Sequence, residues 1–178
     1  MGRSAFRSLV AWSALAASAW GAGLSFTAAD AQTAYETAAG LVKCCTPRNA
    51  GTPEGLRAAP WIRDRAVAAG VPAKLDVFTA AVNDGEAVFA NVVAELPGSE
   101  PAAPWIVLMS HFDTAPNAGR GFEGANDGAS TSGLLLALGQ AVRRASPGRL
   151  NVLLAWTDAE ECRVKYGPRD GFQGSKRL

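Results

Sequence analysis

Two short apolar runs, Ile106 to Met109 and Leu150 to Trp156, flank a stretch of helical spacing, and no other feature of the chain restricts its fold as tightly. Each run is too short and too continuous for anything but a strand buried on both faces. Between them, over residues 129 to 144, Leu135, Leu138 and Val142 fall on one helical stripe, and Arg143 and Arg144 stand in the last turn, where positive charge meets the helix dipole favourably. Pro147-Gly148 ends that helix. Strand, helix and strand in this order predict a right-handed parallel crossover and hence an α/β protein.

Upstream, Leu75 to Val82 and Glu86 to Leu96 are β-prone runs separated by Asn83-Asp84-Gly85, a hairpin signal, so an antiparallel pair is expected. Before them, Leu56, Ala59, Ile62, Ala66 and Val67 follow helical spacing from about Glu54, with Pro60 tolerated in the first turn and Gly70 and Pro72 ending the helix. No internal repeat or low-complexity segment interrupts the chain.

The first residues carry Arg3 and Arg7, then a segment from about Leu9 to Leu24 rich in Ala and Trp, then small residues at Ala29-Asp30-Ala31. That pattern predicts a secretory signal over residues 1–31, cleaved after Ala31. The rival, an uncleaved membrane anchor, is weakened by Ser13, Ser18 and Gly21 within the run. The mature domain, residues 32–178, is long enough for one real core. The formal charge of +1 falls to zero when Arg3, Arg7 and Asp30 leave. A neutral chain offers no electrostatic case for nucleic acid or an anionic membrane, so selection must come from a pocket. The expected location is the periplasm or the outside medium, with no membrane attachment after cleavage.

Cys44, Cys45 and Cys162 are an odd count for an exported chain. Neighbouring cysteines rarely bond, because the bridge strains the intervening peptide, and no spacing here resembles a zinc knuckle. The three are expected to be small, partly buried thiols.

Functional groups of such sheets gather beyond the carboxyl ends of the parallel strands. His111, the only histidine, and Asp113 follow the first strand; Asp158, Glu160 and Glu161 follow the second; Asp127, in Asn126-Asp127-Gly128, precedes the connecting helix. Taken singly, His111 reads as a structural histidine, Asp127 as a helix cap and Glu160-Glu161 as solvated charge. Together they converge on one rim. Dense negative charge at a strand end is costly unless neutralised, and a divalent cation would do so. An imidazole plus carboxylates suits a hydrolytic zinc site, with Asp113 accepting the second imidazole N–H and one of two adjacent glutamates free for proton transfer.

Ser110-His111-Phe112-Asp113, Gly124-Ala125-Asn126-Asp127-Gly128-Ala129-Ser130, Asp158-Ala159-Glu160-Glu161 and Gly174-Ser175 resemble, in order and spacing, the motifs of the secreted zinc aminopeptidase and glutaminyl cyclase family, the zinc exopeptidases of clan MH. Pro47 to Pro53 and Asn91 to Gly98 are also similar to segments of that family. The resemblance implies a three-layer α/β/α fold with a mixed, centrally parallel sheet, here truncated after the second parallel strand. It implies one or two Zn²⁺ ions, with His111 on one, Asp127 bridging and Glu161 on the other, Glu160 as general acid/base and Asp113 orienting His111. Peptide or protein amino termini would be the partners.

Family members carry a further aspartate and a further histidine ligand beyond the Gly-Ser motif, and this chain has neither after Ser175. The expectation is therefore an amino-terminal part of an enzyme, inactive as it stands. The leading expectation is an exopeptidase that hydrolyses the amino-terminal peptide bond. A glutaminyl-peptide cyclotransferase is the alternative, favoured by the long segment from Cys162 to Gln173, whereas Gly-Ala-Asn-Asp-Gly-Ala-Ser is nearer the peptidase wording and Asp-Ala-Glu-Glu departs from Asp-Gly-Glu-Glu in both branches. A non-catalytic binding homologue is the third reading.

Overall fold

The structure, a computed structural model, describes residues 23–145 and 147–178. Most of the expected signal segment thus lies outside the described residues. The first element among the described residues is a helix that the sequence reading did not anticipate, α1, Ala28–Cys45. Thr27 caps it: its hydroxyl accepts the Asp30 N–H, and the Asp30 carboxylate accepts the Thr27 N–H at 2.7 Å, a reciprocal box at the start of the helix. Asp30 is buried and also receives Arg144 at 2.7 Å. The cleavage position expected after Ala31 falls inside this helix.

A short 3-10 turn, Gly55–Arg57, leads into α2, Ala58–Ala68, where Ala58, Ala59, Ile62 and Ala66 are buried. The expected hairpin forms from β1, Ala73–Val82, and β2, Gly85–Leu96, closed by Asn83-Asp84 between paired Val82 and Gly85. Gly85 sits at φ +131°, a backbone setting that side chains resist, which is why the turn ends on glycine. Then come β3, Trp105–His111, an irregular turn over Ala125–Ser130, α3, Thr131–Arg144, β4, Asn151–Thr157, and the short helix α4, Gln173–Arg177.

The four strands form one mixed sheet in the order β1-β2-β4-β3. β2 runs antiparallel to β4, and β3 and β4 are the expected parallel pair, with Ile106 opposite Val152 and His111 opposite Thr157. The α/β class holds, but the parallel pair lies at one end of the sheet rather than its centre.

One core lies between the sheet and α1, α2 and α3, built from Leu41, Ile62, Val92, Leu135, Leu154 and Trp156. Trp156 is fully buried and its indole N–H donates to the Ser132 carbonyl at 2.9 Å, tying β4 to α3. A smaller cluster, Phe89 with Val82, Ala50 and Ala159, forms on the opposite face, where α4 also lies, its Arg177 over the Phe78 ring.

Two expectations need correction. β3 is not buried on both faces: it is the edge strand, and Trp105, Val107 and Met109 on one of its faces are each about half exposed. An apolar run reports that a strand forms, whereas its cover depends on what packs outside it. Cys44 and Cys45 are joined by a disulfide, and only Cys162 is free. Both cysteines stand in the last turn of α1, and the backbone becomes extended at Thr46 immediately after them.

Candidate metal centre

Parallel pairing with His111 opposite Thr157 brings the chain segments after β3 and β4 to the same rim of the sheet. The turn from Ala125 to Ser130 carries Asp127 to that rim as well. Its backbone departs from helical geometry at Asp127 (φ −91°, ψ 104°) and Gly128, and this kink presents the carboxylate.

His111 Nε2 lies 3.1 Å from Asp127 Oδ1, and Nδ1 lies 3.4 Å from Asp113 Oδ1. One donor atom from each of His111, Asp127 and Glu161 falls within 4.8 Å of the others. The three residues expected to ligate a metal therefore meet, and Asp113 stands behind the imidazole.

Asp113 is fully buried and does more than face His111. Its Oδ1 accepts the Glu160 N–H at 3.2 Å and its Oδ2 accepts the Glu161 N–H at 2.9 Å. One carboxylate thereby sets the backbone of both glutamates against the histidine. The fold then separates the two side chains. Glu160 accepts the Ser175 N–H at 2.6 Å and the Ser175 hydroxyl at 2.7 Å, while Glu161 Oε2 accepts the Tyr166 hydroxyl at 2.7 Å.

Asp158 is a structural carboxyl rather than a fourth member of the cluster. It is buried, accepts the Ala90 and Ala159 N–H groups, and its own N–H donates to Asn91 Oδ1 at 3.0 Å. Ala159, next along, adopts φ +57°, so the departure from Asp-Gly-Glu-Glu places an alanine in the left-handed region, at a cost on the order of 1 kcal/mol.

The electrostatics follow from this crowding. Asp113, as acceptor and charge beside Nδ1, lifts the His111 imidazole to about 9; burial opposes the lift, and Asp127 and Glu161 add to it. Burial, reinforced by the charge of Asp113, pushes the Asp158 carboxyl up to about 7. The hydrogen bond to Glu161 pushes the Tyr166 phenol up to about 12.

A histidine nitrogen with two carboxylate oxygens is a donor set that zinc accepts. Nδ1 of His111 is buried and faces the Asp113 carboxylate at 3.4 Å without an aligned hydrogen bond, the carboxylate–histidine arrangement usual behind a metal ligand. The residues present thus fit the ion. The cleft above them, about 680 Å³, is walled by Glu160, Tyr166, Phe172 and Ser175, and the Tyr166 and Phe172 rings stack with centroids 5.0 Å apart.

Sequence reasoning missed Arg48, Tyr166 and Ser175 as parts of the site. Gly174-Ser175 is named only within a motif, nothing local to Arg48 signals partners so far along the chain, and Tyr166, although close in sequence to Glu161, belongs to no motif.

An open mixed sheet with an imidazole and carboxylates gathered beyond its parallel pair is the scaffold of the zinc exopeptidases and glutaminyl cyclases. Within that class, residues 91–178 match peptidase family M28. The glutaminyl-peptide cyclotransferase-like protein of Bos taurus is 35% identical over 144 residues, covering 74% of this chain and 36% of that protein. The Acidobacteriales bacterium glutaminyl cyclase superposes with a TM-score of 0.73 at 29% identity, covering 86% of this chain and 53% of that one. A leucine aminopeptidase precursor from Bacteroides thetaiotaomicron has the same fold, with a TM-score of 0.69 at 24% identity over 86% of this chain and 57% of its own. The chain spans about a third of the length of the curated relatives it matches and about half of the solved structures. Among the described residues no helix is long and apolar enough to cross a membrane.

Proposed function

We propose that this chain supplies the metal-binding and proton-transfer groups of a zinc-dependent enzyme that acts on peptide amino termini, with cyclisation of an amino-terminal glutamine as its reaction. The observation that carries the reading is the division of labour between neighbours: Glu161 joins His111 and Asp127, whereas Glu160 is held apart by Ser175. Likeness to cyclotransferases, at 35% identity for the bovine protein, favours cyclisation.

Zinc held by His111, Asp127 and Glu161 would supply a Lewis acid that polarises the substrate carbonyl. Asp113 keeps the imidazole oriented and fixes the backbone of both glutamates. Glu160 takes a proton from the amino-terminal amine as the amine nitrogen attacks the side-chain amide carbon. It returns the proton to the departing amide nitrogen, so that a C–N bond forms, another breaks, and ammonia leaves. Tyr166 and Phe172 line the approach.

Aminopeptidase action is the second reading, favoured by the fold shared with the aminopeptidase precursor. There Glu160 would take the proton from the attacking water and deliver it to the leaving amine. With zinc present, ammonia release from a Gln-initiated peptide with no amine release from a leucine amide would establish cyclisation. The converse would establish the peptidase, and turnover of neither would count against both.

A further inference from the structure

Arg48 is fully buried, yet it makes no ion pair among the described residues. Its guanidinium donates instead to backbone carbonyls: Nε to Phe112 O at 2.6 Å, Nη1 to Glu123 O at 3.0 Å and Nη2 to Gly124 O at 2.9 Å, with the Thr46 hydroxyl at 3.3 Å from Nη1. Phe112 is the residue between His111 and Asp113, and Gly124 lies three residues before Asp127. The rigid fork of one side chain therefore bridges the two segments that carry the histidine and the aspartate. Its own backbone is held in turn, because its N–H donates to the Thr114 hydroxyl at 3.0 Å and its carbonyl accepts the Thr114 N–H at 3.1 Å.

The opposite side of the fork is equally close. Gly124 has φ +60°, and a Cβ there would stand 2.7 Å from Arg48 Nη2, so the loop can lie against the guanidinium only as glycine. Burying a guanidinium with no carboxylate in contact is costly. That cost argues for a task that a neutral side chain could not perform: saturating three carbonyls from two loops at once. Asp113 and Asp127 compensate the charge at longer range, opposing the burial that lowers the Arg48 pKa to about 10.

We propose that Arg48 is the positioning residue of the metal centre, setting the separation of His111 from Asp127 by clamping the carbonyls of Phe112 and Gly124. For its zinc readout this inference rests on the metal reading above; its hydrogen-exchange readout does not.

The test compares the full chain with its Arg48→Lys variant, which keeps the charge and loses the fork. Zinc affinity, measured by competition with a chromophoric chelator, is expected to fall about 10- to 100-fold, as it does when groups that orient metal ligands are removed. Without metal, the Ala129 amide, which donates to Gly124 O at 3.1 Å, is expected to exchange with solvent at least roughly tenfold faster, while that of Leu136 within α3 is unchanged. Wild-type zinc affinity and wild-type Ala129 exchange, with only a lower melting temperature, would overturn the proposal and leave Arg48 a packing residue. If the lysine variant does not fold, Thr114→Val, which removes the acceptor of the Arg48 N–H but keeps the fork, is expected to give the same changes at several-fold size; their absence would overturn the proposal. Failure of the wild-type chain to bind zinc would sink the metal reading, and the exchange of Ala129 would still decide the role of Arg48.

Discussion

Glu160 and Ser175 are bonded twice, through the Ser175 N–H and its hydroxyl, each to a different oxygen of the same carboxylate. That pairing withdraws Glu160 from the cluster formed by His111, Asp127 and Glu161, although Glu161 is its neighbour in sequence. A carboxylate of this kind is held in place without being spent on a metal.

Exchange of Glu160 for Gln should therefore separate catalysis from metal binding. Turnover is expected to fall by about 10²- to 10⁴-fold, with zinc affinity within about twofold of wild type. Turnover near the wild-type rate would remove Glu160 from the mechanism.

Zinc in excess should raise the melting temperature, since a ligand that binds only the folded state at about 100 times its Kd adds roughly 2.7 kcal/mol. The His111→Ala, Asp127→Ala and Glu161→Ala variants should each lose most of that rise, and a chelator should reverse it in the wild type. A rise that persists in all three variants would place the ion elsewhere. Tyr166→Phe, which removes only the bond to Glu161, should weaken zinc binding by a few-fold.

The metal-free protein should be more stable in mild acid than in alkali. Its imidazole, lifted by Asp113 to about 9, binds a proton more tightly folded than unfolded, so its contribution is complete below the ordinary value of 6.5 and lost as pH rises through about 9. Asp158 acts in the same sense at lower pH: its buried carboxyl keeps its proton up to about 7, and stability declines between 3.8 and that value. Urea unfolding of the metal-free chain across this range checks both. Proton uptake by buffer during zinc titration at pH 7.5 should also show release of one proton from His111; none released would contradict the raised value.

At the other end of the molecule, Asp30 should stabilise the fold in the opposite pH sense. Hydrogen bonds from Thr27 hold its carboxyl below the usual range, burial opposes them, and Arg144 adds to the lowering; the stability they confer is present above 3.8 and lost as pH falls through the folded value. Asp30→Ala should cost about 1 to 2 kcal/mol through loss of the cap alone. If the chain is exported and processed, its mature amino terminus is expected before Thr27, because cleavage after Ala31 would remove both the cap and the partner of Arg144. Intact mass spectrometry of the exported protein decides this.

The half-exposed face of β3 offers a last expectation. Trp105, Val107 and Met109 on an edge strand favour self-association, and Val107→Lys should shift the sedimentation profile toward monomer without lowering the melting temperature. An unchanged profile would show that the edge is inert.

The hairpin around Asn83-Asp84, the parallel crossover from β3 through α3 to β4, and the meeting of His111, Asp127 and Glu161 were all legible in the sequence. The first two depend on local periodicity and turn chemistry, which act between near neighbours; the third follows from the rule that places parallel strand ends on one rim, with the choice of ligands implied by the family resemblance. α1 was legible in principle, since Thr27 and Asp30 have capping-box spacing, but the same small residues also match a cleavage site. What only the tertiary structure decided is which side chain meets which: that Arg48 reaches carbonyls 64 and 76 residues away, that Ser175 takes Glu160 while Tyr166 takes Glu161, and that β3 lies at an edge. The reason is physical. Steric limits on one residue and its neighbours fix helix, strand and turn, whereas a polar partner or a covering surface is set by how the finished elements pack.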